Sequence, residues 1–253
     1  MKYISFGKYS EMNTFIHNIH PKSKVISFFA LILVASVIPN IKGAVFLFAV
    51  ACFSILLSRL PLKYVVKRLY MPVILIIFMF LILIVSYTGE PIYSIGSLYM
   101  TKEGIDFSTL ILFRATSCLF FAFVLYETTR FEKIIHVLYS FKIPEILLQI
   151  LVLSHRYIYV LLNELTGMLN AAVSKGFNIK LNVKSLTAIG NMIGMLIVKS
   201  YERGERVYYA MVSKGYTGYI KMSDLEKIKT KDILFIIFSF LIIIFAFLFE
   251  IIN

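Results

Sequence analysis

The sequence predicts an all-α, polytopic membrane protein with about five transmembrane helices and a cytosolic bundle of helices between spans four and five. Three observations predict it. The chain is 59% hydrophobic and only 16% charged, with a mean hydropathy of +0.84, whereas soluble domains carry about 25% charged residues. Five apolar stretches approach the roughly 20 residues that a helix needs to cross a hydrocarbon core about 30 Å thick. Lysine and arginine concentrate in alternate connections, the pattern that orients spans with positive loops inside. The formal net charge is +12, from 26 Lys+Arg against 14 Asp+Glu. Such a balance can also serve phosphate neutralisation on nucleic acid, but its placement beside apolar stretches favours the membrane, and no nucleic-acid partner is expected.

The first two stretches, 25–41 and 43–58, are short and separated only by a turn around Pro39, Asn40 and Lys42, which predicts a tight helical hairpin. The others cover 69–89, 107–126 and 233–249. Lys2, Lys8, Lys22 and Lys24 precede span one with Glu11 as the one acid, and Arg59, Lys63, Lys67 and Arg68 follow span two with none. The connection after span three holds Lys102 against Glu90, Glu103 and Asp106. An N-terminus inside and, after five spans, a C-terminus outside satisfy this alternation. The two cysteines, Cys52 and Cys118, lie within apolar stretches and read as packing residues, and no cleavable signal peptide is apparent.

Three regions follow: a four-span bundle over 1–126, a basic helical region over 127–231, and a last span over 232–253. Within the middle region, Thr128 or Thr129 suits the cap of a short helix reaching residues 136–140, and Pro144 suits the first turn of the next. That second helix extends to about 175, with Leu147, Ile150, Leu151, Tyr157, Leu161, Leu165, Leu169 and Ala172 recurring at helical spacing. A third covers about 184–214, with Leu186, Ile189, Ile193, Leu196, Val207 and Met211 on one face. Gly190 and Gly194 on it would let another helix approach closely.

The two long helices end alike. Ala171-Ala172-Val173-Ser174-Lys175-Gly176-Phe177 echoes Ala210-Met211-Val212-Ser213-Lys214-Gly215-Tyr216. Simple capping accounts for part of this, since glycine ends helices and a last-turn lysine complements the helix dipole. The functional alternative makes each Lys-Gly end a projecting cation that seats in an acidic groove on a partner, with the aromatic residue as anchor.

A family resemblance runs nearly the whole length. Its residues include His20-Pro21-Lys22-Ser23-Lys24, Leu60-Pro61-Leu62, Thr101-Lys102-Glu103-Gly104 with Arg114, Ile143-Pro144, Arg156-Tyr157 and Glu164. The most specific stretch is Arg203-Gly204-Glu205-Arg206-Val207-Tyr208-Tyr209-Ala210-Met211-Val212-Ser213-Lys214-Gly215-Tyr216-Thr217-Gly218. On these residues the chain resembles the transmembrane T component of energy-coupling factor transporters, the CbiQ/EcfT family, most closely its cobalt-type CbiQ branch. In that family two Ala-x-x-Arg-Gly-like signatures end the coupling helices, and their arginines dock into two ATPase subunits.

The resemblance therefore assigns ATPase docking to Ala172, Ser174, Lys175, Gly176, Ala210, Ser213, Lys214, Gly215 and Tyr216. Helix packing or coupling falls to Arg114, Arg156, Glu164, Gly190, Gly194, Arg203 and Arg206. Lysine at 175 and 214 departs from the family arginine, keeping the charge but losing the planar fork that grips a carboxylate at two points. The implied partners are two ATP-binding subunits and a membrane-embedded substrate-binding subunit of cobalt or nickel type, with the bilayer around them. Cobalt is the first expectation for the cargo and nickel or a vitamin the alternatives. A membrane anchor that tethers a cytosolic complex without transport is the reading from a different class.

No phosphate-cradling Walker loop, paired intramembrane carboxylates or Ser/His/Asp constellation is discernible, so ATP hydrolysis is expected in other chains and no catalytic residue or cofactor is assigned. His17 and His20 have a spacing that could place two imidazoles on one helical face for a metal. A polar lead-in segment is the simpler reading, and no metal site is assigned. Arg114 stands inside a span, where a charge implies function. It could contact the substrate-binding subunit or fix neighbouring helices.

Overall fold

The computed structural model describes residues 14, 16–87, 91–95, 98–178, 180, 182–218 and 228–251. In chain order the elements are α1 (Pro21–Val37), α2 (Ile41–Leu57), α3 (Leu62–Ser86), β1 (Pro91–Ile95), β2 (Leu98–Thr101), α4 (Lys102–Thr128), α5 (Phe131–Ser140), α6 (Glu145–Ser174), α7 (Val183–Ser213) and α8 (Thr230–Ile251). The all-α expectation holds apart from β1 and β2, which pair antiparallel as a two-stranded hairpin between α3 and α4. The chain divides into two compact units, Met1–Val137 with Leu225–Asn253, and Leu138–Asp224.

In the first unit α4 packs against α1, α2 and α3, and α8 packs against α1 and α2. The sequence dictates the packed faces. Phe28, Leu31 and Ala35 on α1, and Ala44, Leu47, Ala51 and Ile55 on α2, recur three or four residues apart and are buried. Between helices in lipid, close packing and hydrogen bonds replace the hydrophobic drive of water, which favours small residues at contacts. Gly43 is such a contact: a Cβ there would lie 2.5 Å from Ile38 Cδ1 and 3.2 Å from the Ala246 carbonyl of α8. Phe28 meets Phe121 of α4 and Phe235 of α8, with ring centroids 6.2 and 6.1 Å apart.

Helix starts are readable in the residues. Pro21 opens α1 while the His20 side chain accepts from Lys22 N–H, and the Thr101 hydroxyl accepts from Gly104 N–H to begin α4. Helix α4 thus begins at the Thr101-Lys102-Glu103-Gly104 motif, upstream of the apolar stretch by which it is recognised. Helix α3 starts at Leu62, seven residues before its predicted stretch, and continues through Pro72.

Large apolar side chains such as Val37, Leu56, Met71, Phe78 and Phe238 are exposed along these helices. A surface of that kind requires lipid or protein against it, and the chain is a multi-pass membrane protein. By length and composition α3, α4, α6 and α8 can each cross a bilayer, whereas α1 and α2 have 17 residues each. The sequence reading differs in taking α1 and α2 as spans and α6 as an extramembrane helix. An amphipathic helix of 30 residues is long enough for either setting.

In the second unit α6 and α7 pack on each other as an antiparallel pair joined by residues 175–182. Asn182 caps α7 by accepting from Ser185 N–H, and the Ser185 hydroxyl donates back to the Asn178 carbonyl at 3.2 Å.

Candidate docking ends and coupling residues

The ends of α6 and α7 have the same geometry. At the first, Phe177 N–H donates to Ala172 O at 3.0 Å and Gly176 N–H to Val173 O at 2.9 Å. At the second, Tyr216 N–H donates to Met211 O at 3.0 Å and Gly215 N–H to Val212 O at 2.9 Å. These paired bonds are the Schellman arrangement, which satisfies the orphan carbonyls of a helix end and demands a left-handed residue just past the cap. Gly176 and Gly215 supply it, at φ +83 and +85. Among the described residues a Cβ at either would meet nothing within 4 Å, so backbone conformation selects glycine there.

Lys175 and Lys214 occupy the caps, and both are exposed together with Ser174, Gly176, Ala210, Ser213 and Gly215. Ala172 is half-buried, and the Ser213 hydroxyl donates to Tyr209 O on its own helix at 2.9 Å. The capping account of the repeated sequence is therefore true of both ends, and it leaves the two ammonium groups projecting beyond their helices.

The helix pair is tied at its middle by Glu164 of α6, which accepts from Lys199 Nζ at 2.8 Å and from an Arg203 guanidinium nitrogen at 3.2 Å. Arg206 turns instead to Glu202 O of its own helix, at 3.3 Å. Arg156 is exposed on α6 and makes no ion pair among the described residues. Gly190 and Gly194 do not receive a helix from this chain: a Cβ at either would have open space for 4 Å among the described residues. The tie between the two helices is the Glu164 ion pair rather than a close approach at the two glycines. Beyond that pair, a cavity of about 730 Å³ separates the helices, lined mainly by apolar side chains including Ile150, Leu153, Tyr157, Val207 and Met211.

In the first unit Arg114 reaches across from α4 to the end of α1, donating to Ile38 O through Nε at 2.7 Å and to Val37 O at 3.2 Å. Guanidinium donors on the last carbonyls of a helix satisfy them and oppose the negative dipole end. Of the two readings of Arg114, this geometry carries the fixing of neighbouring helices.

Sequence reasoning gave no role to several further polar residues. Lys24 is buried, its ammonium donating to His17 O at 3.1 Å and Thr128 O at 3.0 Å. Asp232 at the start of α8 accepts from His20 N–H at 2.7 Å and Lys229 N–H at 2.8 Å. Tyr64 donates to the buried Glu127 carboxylate at 2.9 Å. Gln149 accepts from the Tyr216 hydroxyl at 2.6 Å. A polar residue among apolar neighbours was the available signal for Gln149, whereas Asp232 follows Lys229, Thr230 and Lys231 and carried no such signal. For Lys24, position within the His20-to-Lys24 motif was the signal, though not its burial.

Against known proteins, the family model described as cobalt transport protein, CbiQ, matches residues 12–225. The chain belongs to the CbiQ family. Relatives of this CbiQ-family chain include an uncharacterized protein of Methanocaldococcus jannaschii, 32% identical over 98% of this chain and 87% of that protein. The energy-coupling factor transporter transmembrane protein EcfT of Thermosediminibacter oceani is 25% identical over 86% of each chain. EcfT of Bacillus subtilis is 24% identical over 84% of each. The family resemblance drawn from the sequence motifs thus stands, and it covers the span bundle as well as the two helix ends.

Proposed function

We propose that this CbiQ-family chain is the membrane-embedded coupling subunit of an energy-coupling factor importer for cobalt. Two ATPase subunits dock on the Lys175 and Lys214 ends, and their nucleotide-driven movement passes through the α6–α7 pair to a membrane-embedded substrate-binding subunit of cobalt or nickel type. The region 127–231 faces the cytosol in this reading, and α6 and α7 lie outside the bilayer. The chain sits in the cytoplasmic membrane, and ATP hydrolysis belongs to its partners.

The observation that carries the proposal is the pair of matching, glycine-terminated helix ends, each presenting an exposed lysine from one helix pair. Two equivalent knobs suit two similar partners. The lysines supply charge without a fixed fork, so docking through them is a point-charge contact in an acidic groove. Cobalt as cargo is supported by the description of the family that matches. The exposed apolar faces of α3 offer a surface for a membrane-embedded partner.

Gentle co-purification of the tagged chain from native membranes tests the assignment. Walker-motif ATPases with a metal-binding membrane subunit are the expected companions. A nickel- or vitamin-specific subunit in its place would keep the coupling role and overturn cobalt. In reconstituted vesicles the complex is expected to accumulate substrate only with ATP, whereas a simple anchor gives no accumulation. Lys175→Glu combined with Lys214→Glu should abolish ATPase association, and arginine at both positions should retain it. Normal assembly of the double glutamate variant would sink the docking assignment.

A further inference from the structure

The two lysine-glycine ends share a cap but are tethered differently: past Gly176 the Asn178 carbonyl accepts from Ser185 at the start of α7. Past Gly215 the chain returns to the first turns of α6, where the Tyr216 hydroxyl donates to Gln149 Oε1 at 2.6 Å and lies 3.0 Å from Gly218 O. Gln149 closes the triangle by donating from Nε2 to Gly218 O at 3.3 Å. Its side chain is only 5% exposed, and both ends of its amide are used. Gly218, at φ +97, provides the left-handed turn that brings its carbonyl to this point. At the other end the corresponding aromatic is Phe177, which has no hydroxyl with which to form such a bond.

The triangle matters because of what lies beside it. Between it and the Glu164–Lys199–Arg203 pair, α6 and α7 are separated by the cavity of about 730 Å³. Where side chains do not interdigitate, packing cannot set the distance between two helices. Over this stretch the spacing is set by the polar ties at its two ends. A neutral hydrogen bond is worth about 1 kcal/mol net, small enough to break and re-form within a working cycle.

We infer that Tyr216, Gln149 and Gly218 form a latch that makes the Lys214 end move with the root of α6, while the Lys175 end is tied through Asn178 and Ser185 to the root of α7, so the two docking ends transmit different motions. This rests on the proposed docking role and adds to it an asymmetry within one chain. Tyr216 then turns inward as a positioning residue, where the sequence reading made it an outward anchor. Opening the latch widens the cavity, and closing it carries a pull on Lys214 directly to the start of α6.

The test uses the assembled complex in lipid nanodiscs, with Cys52 and Cys118 replaced by alanine and spin labels at Leu147→Cys on α6 and Tyr209→Cys on α7. Native residues at 149 and 216 should give one narrow distance between the labels. Tyr216→Phe and Gln149→Leu should each raise the share of a longer distance about fivefold, the change one neutral hydrogen bond supports. The double variant should go no further than Gln149→Leu, which by itself removes both bonds that tie the Lys214 end to α6. Phe177→Leu should leave the distance unchanged. In transport assays Gln149→Leu should retain ATPase association while raising the ATP consumed per substrate imported, a split that a general loss of folding would not produce.

Unaltered distances in Tyr216→Phe, or additive shifts in the double variant, would overturn the latch. Loss of the ATPases from Tyr216→Phe with unaltered distances would also overturn it, leaving Tyr216 as a partner contact and the docking role intact. Should charge reversal at Lys175 and Lys214 fail to release the ATPases, the docking role falls, and the label distances still decide the latch by themselves.

Discussion

Lys24 illustrates how a single ionisable side chain is kept inside an apolar bundle. It is 2% exposed, and its ammonium joins His17 O ahead of α1 to Thr128 O at the end of α4. Buried charges persist where hydrogen bonds replace water. Lys24→Met would keep much of the side-chain volume but leave both carbonyls without this donor. The expected cost is about 1–3 kcal/mol, seen as a lower midpoint of thermal unfolding for the purified chain in detergent; an unchanged midpoint would mean the two carbonyls find other donors. Arg114→Leu should destabilise by a similar route, because the end of α1 would lose its donors. Faster hydrogen exchange confined to the last turn of α1 would report it. At Glu164 the hydrogen bond from Lys199, helped by the charges of Lys199, Arg203 and Arg206, holds the carboxyl below the usual carboxylate range against the effect of burial. The tie is therefore present above the ordinary carboxylate pKa and is lost only as pH falls through the lowered one.

At the scale of elements, the matched caps of α6 and α7 make a symmetric prediction and the latch an asymmetric one. Gly176→Ala and Gly215→Ala each force a Cβ into a left-handed conformation, at a cost of about 1 kcal/mol, with no crowding to add to it. Each should fray one lysine-bearing end and weaken ATPase binding about fivefold at that end, measured as the salt needed to strip the ATPases from the complex. If the two substitutions have no effect, the orientation of the ends is immaterial to docking. Most helices were legible in outline: α1, α2 and α8 follow apolar runs, and α6 and α7 follow their periodic faces. Boundaries were less so. Helix α3 begins in the basic stretch before its apolar run, because Lys63, Lys67 and Arg68 are themselves good helix formers. The β1–β2 hairpin lies where the sequence carries no strand-length alternation, and pairing between its two strands decides it.

For the molecule as a whole, the alternation of positive connections implies an N-terminus inside and a C-terminus outside. A cysteine introduced at Asn253 should react with an impermeant reagent added to intact cells, while one at Lys63 should react only after lysis. The reverse result would invert the orientation and overturn the cytosolic placement of α6 and α7, and labelling of both sites from the same side would overturn the five-span arrangement. Lipid exposure and the identity of the two lysine ends followed from the sequence by itself, because composition, charge placement and a glycine after a helix are local properties. The family was legible for the same reason, since its motifs are contiguous. Only the tertiary structure decided that Arg114 caps α1, that Lys24 bridges to α4, that Glu164 rather than Gly190 and Gly194 holds α6 to α7, and that Tyr216 is tied to Gln149. Each of these depends on a partner far away in the chain, and hydrogen-bond geometry over such separations exists only after the helices have packed.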